Sequence, residues 1–289
     1  MVKISVIGVG NLGSCIAYEI ANRSIADELI LVDINKSRAE GEAEDIKQAI
    51  ALKNPTKVTA GDYKDIKESK LIVVVAGKPR TPDIKSRLEL GKINADIIKD
   101  VAAKIKENAP EAVIVTVTNP MDIMNYLIWK ETGFERKKVI GAGGQLDSAR
   151  FTSVVKKQAY SIGEHGDTQV LIWSKLEKGY STEQKEALFE ELREIARTVI
   201  TKKGATIYAP ANTIADVVQS IVKDEKKVMM CSCILKGEYE AANLSIGVPV
   251  KLGKEGAEEI VQWELTDEEK TLFKQSVDHL KDSIKEILG

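Results

Sequence analysis

The residues most able to transfer a proton lie in the segment Gly163-Glu164-His165-Gly166-Asp167. The chain has only two histidines, His165 and His279. Histidine has an ordinary pKa of about 6.5, so its side chain can give or take a proton near neutrality. The glycines beside His165 leave room for a substrate to approach the backbone. His165 is therefore the candidate proton donor, whereas His279 lies beside the apolar stripe of the last predicted helix and is interpreted as a surface residue.

A glycine-rich motif follows the first predicted strand, Val2–Ile7, and precedes a helix predicted for Ser14–Asn22. Its spacing is G-x-G-x-x-G. Gly8 permits the tight turn, Gly10 lets a pyrophosphate approach the backbone, and Gly13 lets the helix pack closely on the strand. The amino terminus of such a helix offers N–H groups and a partial positive charge to phosphates. This motif predicts a dinucleotide-binding site.

An acidic residue, Asp33, ends the second predicted strand twenty residues after Gly13. A carboxylate there can accept hydrogen bonds from the adenosine ribose and repels a 2′-phosphate. No arginine follows Asp33 directly. The sequence therefore favours NAD over NADP as the cofactor, with NADP use left open.

Further apolar runs predict an alternation of strands and helices. Strands are predicted for Lys57–Ala60, Leu71–Ala76 and Ala112–Val117. Between the last two, a long helix carries one apolar stripe: Leu90, Ile93, Ile97, Val101 and Ile105. Such alternation predicts an α/β fold, a Rossmann doubly wound parallel sheet with helices on both faces. Ligands bind at the carboxyl ends of its strands.

The second half has a less regular pattern. Helices are predicted for residues 181–203 and 209–222, and antiparallel strands for Val228–Leu235 and Leu244–Leu252. A capping-box pattern predicts that the last helix starts at Thr266. We therefore expect a dinucleotide-binding domain over residues 1–141 and an α+β substrate domain over residues 142–289.

Composition limits the classes of partner. With 43% apolar residues, 30% charged residues and a net charge of −2, the chain has no basic field for nucleic acid. No apolar run is long enough to span a membrane. The three cysteines, Cys15, Cys231 and Cys233, favour a reducing cytoplasm over a disulfide framework. The C-x-C pair lacks a four-ligand set, so no metal site is expected.

Three arginines, Arg80, Arg87 and Arg150, lie in segments that follow predicted strands. An arginine can bind a carboxylate through two parallel hydrogen bonds. Asp147 precedes Arg150 by three residues at a predicted helix start, so both can face one side. An aspartate beside His165 would fix its tautomer and stabilise its charged form. These residues predict an anionic small-molecule substrate.

The sequence resembles the malate and lactate dehydrogenase family over nearly its whole length. The motifs that carry the resemblance are Gly8–Gly13 with Asp33, Ala76–Arg80, Ser86-Arg87, Val117–Asp122, Leu146–Phe151, Gly163–Asp167, Gly204–Thr206 with Tyr208–Ala211, and Ile246–Pro249. The family's activity is hydride transfer between a nicotinamide cofactor and a 2-oxo or 2-hydroxy acid. We therefore expect an NAD-dependent oxidoreductase.

The resemblance implies a role for each catalytic and substrate-binding residue. His165 exchanges a proton with the substrate oxygen, and Asp147 orients and stabilises it. Arg150 binds the substrate carboxylate, and Arg87, on a mobile loop, polarises the carbonyl. Asn119 contacts the substrate oxygen, its bond to Pro120 is expected to be cis, and Thr206 lines the pocket. Cofactor contacts are implied for Gly8, Gly10, Asn11, Leu12, Gly13, Asp33, Ala76, Gly77, Asn94, Val117 and Asn119.

Arg80 is the residue that favours malate and oxaloacetate as substrates, because in the family an arginine at this position binds a second carboxylate. Glutamine there accompanies lactate and pyruvate. This chain departs from the malate-type pattern in having one extra residue between Arg80 and Arg87. Lys85, within that segment, is a competing partner for the second carboxylate. The segment between Arg150 and His165 is also shorter than in relatives. Lactate dehydrogenase, or another 2-hydroxy acid dehydrogenase, therefore remains the alternative.

Two further interpretations come from different classes of protein. A non-catalytic NAD-sensing protein would have no need for His165, Asp147 and three arginines together, and an NAD- and metal-dependent glycosidase would need a Cys/His metal site. The family further implies a homodimer or homotetramer, a cytoplasmic location and a place in the tricarboxylic acid cycle.

Overall fold

The computed structural model describes residues 1–79, 86–177 and 179–289, with the side chain of Arg87 left out. In the first half, parallel strands alternate with helices. The strands are β1 (Lys3–Ile7), β2 (Glu28–Val32), β3 (Lys57–Ala60), β4 (Leu71–Val74), β5 (Val113–Thr116) and β6 (Val139–Gly141). The helices are α1 (Asn11–Asn22), α2 (Lys36–Ile50), α3 (Arg87–Asn108), α4 (Met121–Thr132) and α5 (Gly144–Val155).

These six strands form a parallel sheet in the order β3-β2-β1-β4-β5-β6. That order is the Rossmann arrangement, which confirms the predicted doubly wound parallel sheet. Every residue of β4 and β5 is buried, as expected when helices cover both faces of a sheet. The carboxyl ends of β1, β2, β4 and β5 therefore meet at one edge.

The second half adds antiparallel strands and three further α-helices within the described residues. The strands are β7 (Ser161–Gly163), β8 (Gln169–Leu171), β9 (Val228–Lys236), β10 (Ala242–Gly253) and β11 (Gly256–Ile260). The helices are α6 (Thr182–Lys203), α7 (Tyr208–Val222) and α8 (Asp267–Leu288). The predicted antiparallel pair is confirmed as β9 and β10, which places Cys231 opposite Val248.

The sheet continues from one half into the other. Strand β6 pairs with β9 at Gly141 and Ser232, and the order then runs β9-β10-β7-β8, with β11 beside β10. This mixed second half, with its packed helices, confirms the predicted α+β character. Because the hydrogen-bonded sheet is continuous at Gly141, the division into domains 1–141 and 142–289 stays a prediction.

Two predicted element boundaries were wrong for identifiable reasons. Helix α1 begins at Asn11, three residues before the predicted start, because Gly10 is already its N-cap and accepts a hydrogen bond from the backbone N–H of Ser14. Strand β4 ends at Val74 and not at Ala76, because the carbonyl of Ala76 accepts from the Thr118 hydroxyl and not from a strand neighbour.

Helix α8 begins as predicted. Thr266 is its N-cap and forms a capping box with Glu269. The carboxylate of Glu269 also accepts two hydrogen bonds from Ser174, which explains why this acid is buried. Phe273 and Leu280, on the apolar side of this helix, are buried. Helix α8 therefore packs firmly on the second half of the sheet.

Candidate functional site

The glycine loop between β1 and α1 has two glycines that the fold itself requires. Gly8 has φ +92°, and a Cβ on it would lie 2.5 Å from the backbone nitrogen of Ala76. A Cβ on Gly13 would overlap the carbonyl oxygen of Gly8. A Cβ on Gly10 would meet nothing within 4 Å. The space beside Gly10, at the amino terminus of α1, is therefore open and fits a phosphate group.

Asp33 is fixed at the same edge by two backbone donors. Its Oδ2 accepts from the N–H of Val9 at 2.8 Å, and its Oδ1 accepts from the N–H of Asn35 at 2.9 Å. Each carboxylate oxygen has a further lone pair, so Asp33 can still accept from ribose hydroxyls. The glycine loop and the acid thus form one site, which fits the adenosine and pyrophosphate of NAD.

A cation that was not predicted from the sequence lies near this loop. Arg38, in the first turn of α2, donates to Oδ1 of Asn11 at 3.1 Å and lies 3.6 Å from Glu42. Only an arginine directly after Asp33 was expected to oppose the choice of NAD. The short distance along the chain from the end of β2 to the first turn of the next helix could have revealed Arg38.

The loops after β4 and β5 are joined by Asn94 of α3. Its Oδ1 accepts from the N–H of Lys78 at 2.7 Å, and its Nδ2 donates to the carbonyl of Asn119 at 2.7 Å. A Cβ on Gly77 would lie 2.6 Å from Thr118, so this glycine permits close contact of the two loops. Asn94 is buried and its amide is engaged on both sides, so its contribution to the site is to hold these loops together.

The remaining residues predicted for this edge lie where they were expected. Ala76 follows β4, Val117 follows β5, and Leu12 lies in the first turn of α1. The backbone N–H of Val117 donates to the carbonyl of Val74 at 2.8 Å. The bond between Asn119 and Pro120 is cis, as expected. These residues therefore share the carboxyl-end edge with the glycine loop.

His165, in the loop between β7 and β8, is hydrogen-bonded to Asp147. Its Nδ1 lies 2.6 Å from Oδ2 of Asp147, which is on α5 and only 6% exposed. The other oxygen of Asp147 lies 3.3 Å from Nη1 of Arg150, one helical turn further on. The predicted contact between Asp147 and His165 is therefore present, and Asp147 also contacts Arg150. Among the described residues, the hydrogen bond of the imidazole ring is made by Nδ1, and Nε2 has no hydrogen-bond partner.

Opposing effects act on the pKa of His165. Burial lowers it, whereas the carboxylate and hydrogen bond of Asp147, together with the charge of Asp122, raise it. Arg150 lowers it to a smaller extent. The net effect is a pKa above the ordinary value of 6.5. The site therefore favours a protonated imidazole, which is the form able to donate a proton.

Two residues that support His165 were not identified as site residues from the sequence. Oδ2 of Asp122, in the first turn of α4, accepts from the backbone N–H of His165 at 2.7 Å. Its Oδ1 is buried without a partner in the described part of the chain, and burial raises the pKa of Asp122 to about 6. Gly143 packs against the ring, since a Cβ there would lie 2.5 Å from Cγ of His165.

A cleft of about 210 Å³ lies beside Arg150. Its walls come from α5, α6 and the start of α7, and they are mostly apolar. The lining residues are Leu146, Ala149, Arg150, Ser153, Ile195, Ala196, Val199, Thr206 and Ala209. Arg150 and Thr206, two predicted substrate-binding residues, thus share one cleft, and Arg150 is the one charged side chain among these lining residues.

Three of the predicted residues cannot be placed in this site. Arg80 and Lys85 lie outside the described residues, and only the backbone of Arg87, the first residue of α3, is described. Their roles remain predictions from the sequence.

His279 lies on the surface of α8, as predicted, and has a partner that was not predicted. Its side chain is half exposed, but its Nε2 lies 3.7 Å from Oε1 of Glu164, the residue before His165. Cys231 and Cys233 are buried free thiols, as expected, and burial raises the pKa of Cys231 to about 12. In residues 1–79, 86–177 and 179–289, no cluster of three or more His, Cys, Asp or Glu could hold a metal ion.

None of the helices that the structure describes is both long enough and apolar enough to cross a membrane.

Two family models together match nearly the whole chain. Residues 2–141 match the lactate/malate dehydrogenase NAD binding domain, and residues 145–289 match the lactate/malate dehydrogenase alpha/beta C-terminal domain. The first match confirms the prediction of NAD as the cofactor.

Individual relatives include both lactate and malate dehydrogenases. An L-lactate dehydrogenase of Pseudothermotoga lettingae is 39% identical over 306 residues, spanning 98% of this chain and 96% of that protein. The solved structure of malate dehydrogenase from Archaeoglobus fulgidus in complex with NADH is 40% identical, with a TM-score of 0.94 and coverage of 99% and 100%. The minor L-lactate dehydrogenase from Enterococcus mundtii is 30% identical, with a TM-score of 0.94 and coverage of 98% of each chain.

The relatives therefore agree on the type of enzyme and differ in the substrate that their names give. The two matching domain models, the Rossmann-type sheet and the glycine loop with Asp33 all lead to one assignment. The chain belongs to the lactate/malate dehydrogenase family and is an NAD-dependent oxidoreductase of that type.

Proposed function

We propose that the protein interconverts malate and oxaloacetate, with His165 as the proton donor and acceptor. The observation that supports this reaction most strongly is the series of contacts from Arg150 through Asp147 to His165. It joins a group that can bind a carboxylate to a group that can move a proton. Bound NAD supplies the hydride acceptor, and its reduced form supplies the hydride.

His165 performs the proton transfer through Nε2. Asp147 accepts a hydrogen bond from the Nδ1–H group, so the second proton of the imidazolium lies on Nε2, where it can be donated to the substrate oxygen during reduction. In the oxidation direction the neutral ring takes that proton back. The negative charge of Asp147 stabilises the charged ring in both directions.

Arg150 binds the C1 carboxylate of the substrate. Within the described part of the chain one of its guanidinium nitrogens contacts Asp147, which leaves donors for a bidentate contact with the substrate. Thr206 lines the same cleft. The proposal assigns Asn119 and Arg87 to the substrate oxygen, where positive donors stabilise the charge that develops in the transition state.

The choice of malate rests on Arg80. A second carboxylate needs a cation, and Arg80 is the residue that the family pattern assigns to it. An uncompensated buried arginine is costly, so a substrate without that carboxylate would be disfavoured.

Pyruvate and lactate form the second candidate pair of substrates, which a specific observation favours. The cleft beside Arg150 has apolar walls from Leu146, Ile195 and Val199. Such walls suit the methyl group of pyruvate better than a second carboxylate. Similar proteins named L-lactate dehydrogenase support this candidate as well.

The deciding experiment follows NADH oxidation by absorbance with oxaloacetate and with pyruvate. The proposal predicts a kcat/KM at least about a hundredfold higher for oxaloacetate, equivalent to about 2.7 kcal/mol in transition-state binding. In the variant Arg80→Gln this preference should fall by at least about tenfold.

Two results would contradict this assignment. Equal or faster turnover of pyruvate by the wild-type chain would favour lactate dehydrogenase. Binding of NADH without turnover of any 2-oxo acid would favour a non-catalytic NAD-sensing protein.

We propose a homodimer or homotetramer in the cytoplasm, acting in the tricarboxylic acid cycle if oxaloacetate proves to be the substrate. The small charge of the chain agrees with a small-molecule partner.

A further inference from the structure

Helix α8 contacts the loop that carries His165. The buried hydroxyl of Ser276 accepts a hydrogen bond from the backbone N–H of Glu164 at 2.7 Å. It also lies 3.1 Å from the hydroxyl of Thr168. The Thr168 hydroxyl in turn donates to Oε2 of Glu164 at 2.5 Å. The residue before His165 is therefore bound at its backbone and at its side chain.

The direction of each hydrogen bond in this set follows from chemistry. An ionised carboxylate only accepts, so the Thr168 hydroxyl uses its proton on Glu164. The Ser276 hydroxyl must then donate to Thr168 while it accepts from the N–H of Glu164. The three residues form a closed ring of hydrogen bonds that begins and ends on Glu164. Neighbouring hydrogen bonds in such a ring strengthen one another.

A glycine makes this contact with α8 possible. A Cβ on Gly163 would lie 2.9 Å from Oγ of Ser276, and its φ of +87° is one that other residues rarely adopt. One turn along α8, His279 lies 3.7 Å from the other carboxylate oxygen of Glu164. The backbone before His165 is thus shaped to fit Ser276.

Consecutive backbone N–H groups of this loop are held by two different helices. Ser276 of α8 holds the N–H of Glu164, and Asp122 of α4 holds the N–H of His165. A shift of the loop would therefore move the imidazole group of His165 relative to the carboxylate of Asp147. The 2.6 Å contact between those two side chains leaves little tolerance for such a shift.

We propose that Ser276 is a positioning residue for His165, acting through the ring of hydrogen bonds that it forms with Glu164 and Thr168. The inference rests on the proposed role of His165 as the proton donor. Ser276 itself is expected to contact neither substrate nor cofactor.

The chain offers a matched control for Ser276. Ser220 of α7 is equally buried, and its hydroxyl has no hydrogen-bond partner among the described residues. Ser220→Ala and Ser276→Ala therefore remove the same atoms from equally buried positions. Only the second change breaks hydrogen bonds to the His165 loop.

The kinetic test compares NADH-dependent reduction of the preferred 2-oxo acid by the wild type and four variants. Ser276→Ala and Thr168→Val should lower kcat about tenfold, with the KM for the 2-oxo acid and the binding of NADH changed less than about twofold. Ser220→Ala should match the wild type. Thr168→Ser keeps a hydroxyl and should restore most of the activity that Thr168→Val loses.

A second readout does not depend on turnover. Because the chain has two histidines, the NMR spectrum of histidine labelled with carbon-13 contains two ring signals, and His165→Asn assigns them. Within the described residues, the charged groups that act on His165 are Asp147, Asp122 and Arg150. Glu164 precedes it in the chain and acts on Asp122, with His279 beyond Glu164. None of them is altered in Ser276→Ala. A lower pKa of His165 in that variant would therefore report a weakened contact with Asp147.

The possible outcomes separate this inference from the proposed function. If the wild type reduces no 2-oxo acid, the proposed function fails, and the NMR titration still tests Ser276. If Ser276→Ala equals Ser220→Ala in both kcat and His165 titration, the inference is overturned. If Ser276→Ala does not fold, the Thr168 variants decide, because equal loss of activity in Thr168→Ser and Thr168→Val would contradict the ring of hydrogen bonds.

Discussion

The glycine loop with Asp33 and the loop that carries His165 are built in different ways. Residues 8–13 and Asp33 are held mainly by backbone groups of the loops that follow the parallel strands and by the absence of side chains. The loop of His165 is held by side chains from three separate helices: Asp122 of α4, Asp147 of α5 and Ser276 of α8.

The two loops should therefore tolerate different kinds of change. The glycine loop depends on steric room, so its sensitivity should follow where an added Cβ would point. The His165 loop depends on charge and hydrogen bonds, so even changes that preserve shape should alter its chemistry. Variants of the two loops should differ accordingly in activity and in stability.

Removal of the proton donor should have the largest effect. His165→Asn should lower the turnover of the 2-oxo acid by about a thousandfold, since a positioned general acid contributes roughly 10²–10⁴-fold. The binding of NADH, followed by its fluorescence, should remain, because the glycine loop is untouched. Turnover at the wild-type rate would remove His165 from the mechanism.

Substitutions in the glycine loop should have two separate effects. Some positions should affect the stability of the fold, and one should affect the binding of the cofactor. Gly13→Ala drives a methyl group into the carbonyl of Gly8, so it should lower the free energy of unfolding by about 2–4 kcal/mol. Gly10→Ala meets no protein atom within 4 Å and should unfold at the wild-type temperature. Its affinity for NADH should nevertheless fall at least about tenfold. Equal loss of stability in the two variants, measured by thermal unfolding, would contradict this division.

Removal of the charge of Asp122 should lower the pKa of His165 even when the shape of the side chain is preserved. Asp122→Asn keeps an acceptor for the N–H of His165 and removes the charge that raises its pKa. Reduction needs protonated His165, so activity is present below that pKa and is lost as the pH rises through it. In the variant this loss should occur at lower pH, with a several-fold lower rate near pH 7.

The rates of Asp122→Asn at acid pH provide a second test of the same effect. The pKa of Asp122 itself is about 6, so this carboxylate gains a proton below that pH in the wild type. The rates of wild type and Asp122→Asn should therefore converge in acid. A constant ratio of rates from about pH 5 to about pH 9 would show that the charge of Asp122 does not reach His165.

The smallest effect is expected for the choice between NAD and NADP when Asp33 is replaced. Asp33→Ser removes the charge that repels a 2′-phosphate, and Arg38 lies near enough to Asn11 to offer a cation at this end of the site. The kcat/KM with NADPH should rise about tenfold. The double variant with Arg38→Ala should lose most of that gain. No rise in Asp33→Ser would remove Asp33 as the residue that selects NAD.

The same contrast explains what could be predicted from sequence. Strands β1 to β5, β9 and β10, the glycine loop and Asp33 are encoded by short continuous patterns, so their positions were predicted closely. The short strands β6, β7, β8 and β11 were not predicted. Asp147 and Arg150 were found because they share one helical turn. In contrast, Asp122 lies 43 residues from His165, and Ser276 lies 112 residues from Glu164. Their contacts arise only from the packing of α4 and α8, which no local pattern encodes.

Arg38 and His279 illustrate two further limits. Arg38 was missed because a cation was sought directly after Asp33 and not one helical turn further. His279 was correctly placed off the apolar stripe of α8, but its neighbour Glu164 comes from a remote loop. Helical spacing gives the face of a side chain, whereas the partner on that face depends on tertiary packing.

The most direct test of the proton-transfer assignment is the pH dependence of kcat/KM for 2-oxo acid reduction in the wild type and in Asp147→Asn. We predict that wild-type activity is lost as the pH rises through a pKa above 6.5, because Asp147 stabilises the protonated ring of His165. Asp147→Asn keeps the size of the side chain and removes its charge, so the loss should move to lower pH. A profile at the same position in both proteins would contradict the central claim that the pair of Asp147 and His165 supplies the proton.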